Sequence, residues 1–292
     1  MDSVQVCEVC FASCRLSEGQ TGRCHARKNV NGRIIPVNYG KITSLALDPI
    51  EKKPLRRFFP GSRILSVGSY GCNLKCPFCQ NCEISCAEEK DGQLIFHGSA
   101  EEVISYRKIT PSALCHLALD YRQQGNIGVA YTYNEPLVGY EFVRDTAQLV
   151  HENGMQNVIV TNATAKLPVL RELLPWTDAM NIDLKGIRPE YYERVLGGDL
   201  YMAEAFIKEA ALNCHVELTT LIIPGMNDSD EEMDALALWI SQLDHGDEIP
   251  LHVSRFFPRY RMMDSQPTEV SKIHHLSEIA RRHLKYVYTG NC

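Results

Sequence analysis

Five cysteines fall within fifteen residues of this chain: Cys72, Cys76, Cys79, Cys82 and Cys86. The first three lie in Gly71-Cys72-Asn73-Leu74-Lys75-Cys76-Pro77-Phe78-Cys79-Gln80-Asn81, spaced C-x3-C-x2-C. An apolar run, Arg63-Ile64-Leu65-Ser66-Val67-Gly68, precedes them and reads as a strand. Thiolates this close, in a loop bent by Gly and Pro, can bind one soft metal centre. Three such ligands on a four-iron cluster leave one iron free for a substrate or cofactor. The last four cysteines also spell C-x2-C-x2-C-x3-C, the bacterial ferredoxin run except that Ala87 replaces its proline. Locally, an open cluster held by Cys72, Cys76 and Cys79 and a closed electron carrier using Cys76, Cys79, Cys82 and Cys86 are both compatible. A reduced-thiol loop without metal is the bland alternative.

A second cysteine group sits near the start of the chain. Cys7, Cys10, Cys14 and Cys24 are interleaved with turn formers such as Gly19, Gly22, Asn31 and Gly32. Four thiolates in so short a piece suit a structural zinc site, which would supply the folding energy a small loop-rich lobe lacks. An auxiliary iron–sulfur cluster and free thiols are the alternatives. The basic run Glu51-Lys52-Lys53-Pro54-Leu55-Arg56-Arg57 is short and interrupted by proline, and reads as a solvated linker. The net charge of −6 gives no reason to expect a nucleic acid or an acidic membrane as partner.

The start, Met1-Asp2-Ser3-Val4-Gln5-Val6-Cys7, lacks a basic segment followed by an apolar one, so no signal peptide is expected. No uncharged apolar run approaches the ~18 residues of a spanning helix. Twelve cysteines without an export signal fit metal binding better than disulfides and place the protein in a reducing cytoplasm.

From residue 61 onward, strand-like and helix-like segments alternate. Nearly continuous apolar runs at 63–69, 127–133, 157–161, 179–184, 215–223 and 250–256 predict parallel strands covered on both faces. Between them, Thr110-Pro111 caps a helix that Gly125 ends, and 136–153 ends at Gly154. Ser229-Asp230-Glu231-Glu232 places acidic residues at a helix start, and 268–283 is a final amphipathic helix. The segment 88–107 reads as a hairpin or insertion. The expected architecture is α/β: a Cys-rich lobe over 1–60 and a partial, TIM-like (β/α)6 barrel over 61–292.

In parallel α/β barrels, function gathers at the carboxyl ends of the strands. Polar residues fall there repeatedly: the cysteine loop, then Tyr131-Thr132-Tyr133-Asn134-Glu135-Pro136, Thr161-Asn162, Asp183-Leu184-Lys185, Pro224-Gly225-Met226-Asn227-Asp228 and His252-Val253-Ser254-Arg255. Singly, each has a bland reading. Asn134-Glu135-Pro136 could start a helix, Asp183 and Lys185 could be a surface pair, and His252 could be an ordinary core histidine. Six coincidences around one mouth argue for a site.

With these motifs quoted, the chain resembles the radical S-adenosylmethionine (SAM) enzymes. It is similar to pyruvate formate-lyase activating enzymes, and most of all to the radical-SAM members of the AmmeMemoRadiSam group. Asp48-Pro49-Ile50-Glu51-Lys52-Lys53-Pro54-Leu55, Ile223-Pro224-Gly225 and Thr289-Gly290-Asn291 belong to the same resemblance, which spans essentially the whole chain. It implies that Cys72, Cys76 and Cys79 hold a [4Fe–4S] cluster whose fourth iron is chelated by SAM. It implies further that Phe78 borders the adenine, that Glu135 holds the SAM amino group, and that Asn162, Asp183, Lys185 and His252 contact its carboxylate, ribose or adenine. Reductive cleavage would then give a 5′-deoxyadenosyl radical for hydrogen abstraction, with flavodoxin or ferredoxin as electron donor and a protein or small molecule as substrate.

The chain departs from the family pattern at several positions. Cys82 stands where a large aromatic is usual, Val160 where the glycyl-radical activases carry an aspartate, and Thr219 near the position of an arginine in those activases. Glycyl-radical activation of a protein and radical modification of a small molecule or peptide both stay open. Two rivals predict no SAM chemistry: the ferredoxin-like carrier, and a zinc-bearing scaffold for protein partners.

Overall fold

The computed structural model describes residues 4–98 and 101–292. Residues 1–3, at the start read for an export signal, and 99–100, within the segment read as an insertion, lie outside the described residues.

Eight strands form one sheet: β1 (Ser44–Pro49), β2 (Arg63–Gly68), β3 (Asn126–Tyr131), β4 (Gln156–Thr161), β5 (Ala179–Asp183), β6 (His215–Ile222), β7 (Leu251–Arg255) and β8 (Val287–Gly290). Each pairs with its neighbour in this order. The pairs from β2 to β8 are parallel, while β1 runs antiparallel to β2, with Leu47 opposite Leu65. The expected α/β barrel is present, with its six predicted strands as β2 to β7 and two further strands as edges. Residues 44–49, on the lobe side of the expected division at residue 60, therefore lie within the barrel sheet.

Among the described residues, six longer helices connect the parallel strands: α1 (Pro111–Asp120), α2 (Tyr140–Glu152), α3 (Leu167–Leu173), α4 (Leu200–Ala211), α5 (Asp230–Ser241) and α6 (Val270–Ala280). Their ends follow local chemistry. Thr110 Oγ1 accepts from Ala113 N at 3.2 Å, with Pro111 at the first helical position, and Ser229 Oγ caps α5 through Glu232 N at 3.1 Å. The stretch expected as one helix over 136–153 divides into a 3₁₀ turn, Pro136–Gly139, and α2. At the break, a Cβ on Gly139 would stand 2.5 Å from Asn38 Oδ1, so only glycine lets the lobe approach here. The helices bury apolar faces such as Leu114 and Ala118, or Phe206 and Ile207, against the outer side of the sheet.

Inside the lower half of the barrel, Ile64, Ala130, Val158 and Ala179 pack against Ile50 and Leu55 of the connection between β1 and β2. This connection is a strap drawn across the amino ends of the strands. Buried Lys53 pairs with Asp48 at 2.9 Å, Pro54 O accepts from Asn181 Nδ2, and the amides of Arg56 and Arg57 donate to Glu217 at 2.7–3.0 Å. The motif read as a solvated linker thus closes the barrel floor. The side chains of Lys52, Arg56 and Arg57 stay outside, and the Arg57 guanidinium lies over the Tyr286 ring at 3.7 Å.

The N-terminal residues form short antiparallel hairpins, Gln5–Val6 with Arg15–Leu16 and Arg27–Val30 with Arg33–Pro36. The lobe is fastened to the loop after β4: Lys166 N donates to Val9 O at 2.9 Å and Phe11 N to Thr164 O at 3.2 Å. Arg27 makes a bidentate pair with Glu141 of α2, both contacts at 2.8 Å. The segment 88–107 contains a small antiparallel sheet of Glu88–Lys90, Gln93–His97 and Glu101–Ile104. It covers an apolar cluster containing Tyr70, Leu94 and Phe96.

Candidate active site

Beyond the last residue of β2, Gly68, the chain turns through Ser69 and Tyr70 into the cysteine loop. Asn134, at the end of β3, receives Ser69 N at 3.0 Å and donates to Gly71 O at 3.0 Å, tying two strand ends together. Gly71 adopts φ +92°, and a Cβ there would fall 2.4 Å from Cys24 O. Glycine is needed both for the left-handed backbone and for this approach to the lobe.

Cys72, Cys76 and Cys79 line one cavity of about 260 Å³ at the carboxyl ends of the strands. Phe78, Glu135, Asn162, Asp183 and Lys185 line it too, so all these predicted residues are brought together. Burial pushes all three thiols above their ordinary range, Cys76 to about 12, and the neighbouring thiols add to the shift of Cys72 and Cys76. Among the described residues, no three His, Cys, Asp or Glu side chains stand in the arrangement of a closed site for a metal ion. A multi-iron cluster distributes its thiolates over different irons, so its ligands do not share one point.

Glu135 is 4 % exposed. It accepts from Thr161 Oγ1 and Asn162 N, both at 2.8 Å, and from Leu137 N at 3.0 Å. Burial raises its pKa to about 7 against the opposing pull of these hydrogen bonds. Among the described residues it has no ion-pair partner. Lys185, the cation of this cavity, is committed to Asp183 at 3.1 Å. Burial opposes the charge on Lys185, but Asp183 and the nearby Cys76 outweigh it and raise its pKa. A buried carboxylate without a cation, facing three thiols, fits the amino group of a ligand that also reaches those thiols.

Asn162 links the site to the loop, donating to Asn73 Oδ1 at 3.0 Å and lying 3.7 Å from Cys72 Sγ. Tyr133, in the left-handed region at φ +76°, lines the cavity while its hydroxyl donates to Asp48 at 2.7 Å and its carbonyl accepts from Asn81. His252 is the exception among the predicted residues. It lies beneath the cavity, its Nε2 2.7 Å from Glu217 Oε2, and Ser254, two residues further along β7, lines the cavity in its place. Glu217, absent from the sequence-based site, is fully buried and also contacts His215 Nε2 at 3.0 Å. Burial alone would raise its pKa, but the histidines and the two strap amides hold it at about 2. The alternation His215, Glu217, Thr219 along β6 marks these as one inward face, a signal legible in the sequence.

Cys82 does not line the cavity; it is buried in the apolar cluster with Tyr70, Leu94 and Phe96. Cys86 opens onto a different cavity. Of the four cysteines of the ferredoxin spacing, Cys76 and Cys79 line the first cavity, Cys82 lines neither, and Cys86 lines the second, although Cys79 and Cys86 also pack against the cluster that buries Cys82. In the lobe, Cys24 is pushed up to about 12, chiefly by burial, with Cys10, Cys7 and Cys14 near enough to add to the shift. Cys10 also receives a hydrogen bond from Asn73 of the cysteine loop.

The description of the radical SAM superfamily matches residues 66–239. The chain belongs to the radical SAM superfamily. That family implies a [4Fe–4S] cluster and SAM, and the cavity described above has the donor set for both. An uncharacterized protein of Methanocaldococcus jannaschii is 38 % identical to this radical SAM chain over 287 residues, 98 % of this chain and 80 % of its own length. The pyruvate formate-lyase 1-activating enzyme of Escherichia coli K12 is 24 % identical over 195 residues, 66 % of this chain and 74 % of that one. Among solved structures, SuiB of Streptococcus suis bound to S-adenosylmethionine shares the fold at a TM-score of 0.56 and 14 % identity, over 76 % of this chain and 48 % of that one. Among the described residues no helix is long and apolar enough to cross a membrane.

Proposed function

We propose that this chain reductively cleaves SAM at a [4Fe–4S] cluster held by Cys72, Cys76 and Cys79, and abstracts hydrogen from a protein or small-molecule substrate. The observation that carries this reading is one cavity containing those three thiols and the cation-free carboxylate of Glu135. When bound, the cluster and SAM supply a carbon-centred radical; the chain supplies position and a site shielded from water. Glu135, held by Thr161 and the Asn162 amide, would take the SAM ammonium. Asn162, Asp183 and Lys185 offer the polar atoms for carboxylate and ribose, and Phe78, buried beside Cys79, offers an apolar face to adenine. His252 is left to the barrel floor.

Several finer readings accompany this one. The substrate reading extends to glycyl-radical activation because relatives at 24–25 % identity are activating enzymes for pyruvate formate-lyase 1 and indoleacetate decarboxylase. The lobe over 1–60 is read as zinc-bearing because Cys7, Cys10, Cys14 and Cys24 lie near one another, although among the described residues they do not stand in a closed-site arrangement, with the barrel over 61–292. A cytoplasmic flavodoxin or ferredoxin would deliver the electron, and the twelve free thiols suit a reducing compartment.

The test is anaerobic reconstitution with SAM and a low-potential reductant, following 5′-deoxyadenosine. Wild type should form it and Cys72→Ala should not, whereas Cys82→Ala should keep the cluster. A Cys72→Ala protein that retains its cluster, paired with a Cys82→Ala protein that loses it, would overturn the assignment. Deuterium transfer into 5′-deoxyadenosine from labelled candidates then identifies the substrate.

A further inference from the structure

Behind the cysteine loop lies a second cavity, about 320 Å³, between the N-terminal lobe, the 88–97 hairpin and the loop after β7. It shares Cys72, Leu74 and Ser85 with the first cavity, so the loop is a common wall. Three cations from three separate segments line it: Arg23 of the lobe, Lys75 of the cysteine loop and Arg261 of the turn Tyr260–Met262.

Among the described residues, none of the three has a carboxylate partner, although neighbouring Arg259 pairs with Glu83. The guanidinium of Arg23 lies over the Phe11 ring at 5.2 Å, and its buried Nε has no hydrogen-bond acceptor. Glu88, the carboxylate lining this cavity, is engaged by His25 at 3.4 Å and His97 at 2.9 Å. Arg23 is half-buried, whereas Lys75 and Arg261 reach the cavity from its exposed side. Three unmatched cations converging on one concavity repel each other and focus a positive field into it. Two thiols, Cys72 and Cys86, line this cavity against three cations, whereas Cys76 and Cys79 face the first cavity, where Lys185 stands beside Cys76. The concavity has the size of a small-molecule site.

We propose that this cavity binds a small oxyanion, a molecule carrying phosphate or carboxylate groups, held by Arg23, Lys75 and Arg261 against the back of the cysteine loop. Guanidinium forks match the planar or tetrahedral oxygens of such groups, and the Lys75 ammonium adds a point charge. The cavity shares the Cys72 wall with the cluster site, so oxyanion binding is measured with the cluster absent and present, and apart from SAM cleavage.

The experiment is isothermal titration calorimetry of the full chain, before and after cluster reconstitution, with inorganic phosphate and with citrate as probes. Saturable binding of at least one probe is expected, and which one binds separates phosphate from carboxylate chemistry. Because Lys75 and Arg261 are exposed, Lys75→Gln and Arg261→Gln should fold normally and bind about ten-fold or more weakly. Arg261→Lys, which keeps the charge but loses the fork, should fall between wild type and Arg261→Gln, and Lys272→Gln, a surface variant elsewhere, should bind as wild type. Absence of saturable binding by wild type, or wild-type affinity in both glutamine variants, overturns the proposal.

Discussion

At Glu135, burial and three hydrogen bonds pull the carboxyl in opposite directions, and burial prevails, bringing its pKa to about 7. The ionised form is the one that can pair with an ammonium, so the affinity of the cluster-loaded protein for SAM should rise with pH through about 7 and level off above it. Glu135→Gln keeps an acceptor for Thr161 and should fold, yet weaken SAM binding by about ten-fold or more, since a charge-assisted contact is lost. Equilibrium binding of SAM across pH 5.5 to 8.5 (about one and a half units either side of neutrality) checks both statements. A Gln variant with unchanged affinity and an unchanged pH profile would remove Glu135 from the site. The residues at this scale were legible in the sequence because they stand at strand ends, where alternation and the last apolar residue give their location. His252 was misplaced for a definable reason. Alternation shows which face a side chain takes but not its depth along the barrel, and His252 and Ser254 share a face at different depths.

The elements divide in the same way. The strands β2 to β7 were legible because both their faces are covered, giving continuous apolar runs. The edges were not: β1 exposes Leu45 and ends in proline, and β8 has only four residues. The strap between β1 and β2 carries charges that read as solvated, while the structure turns Lys53 inward to 2 % exposure, against Asp48 and over the Tyr133 ring at 4.5 Å. Removing one member of such a pair leaves a buried charge, so Lys53→Ala should lose about 3–5 kcal/mol of stability in denaturant unfolding. A loss below about 1 kcal/mol, the range of surface pairs, would show that the pair is solvated in solution. Gly71→Ala should be damaging for a different reason, the clash with Cys24 O together with the left-handed φ. We expect a cost of about 1–3 kcal/mol and a lower iron content after reconstitution, measured by melting and by iron assay.

Across the whole molecule, Glu217 joins strap, β6 and β7 below the site through the Arg56 and Arg57 amides, His215 and His252. Its folded pKa is depressed from 4.5 to about 2, so its contribution is present above pH 4.5 and is lost as pH falls through about 2. Up to about 3 kcal/mol is at stake. Acid unfolding should be steepest in that window for wild type and flatter for Glu217→Gln, which should also be less stable at neutral pH. Matching acid profiles for the two proteins would show that the carboxylate is not held as described.

The sheet does not close: β1 and β8 are its two edges, and among the described residues no backbone ladder joins them. Near the floor the strap reaches from β1 toward β8, through Arg57 on Tyr286. Such a wall can breathe along one seam while its centre stays rigid. Amide protons of β8 should therefore exchange with solvent well before those of β4 and β5, and shortening or stiffening the strap should alter how far the two edges spread apart.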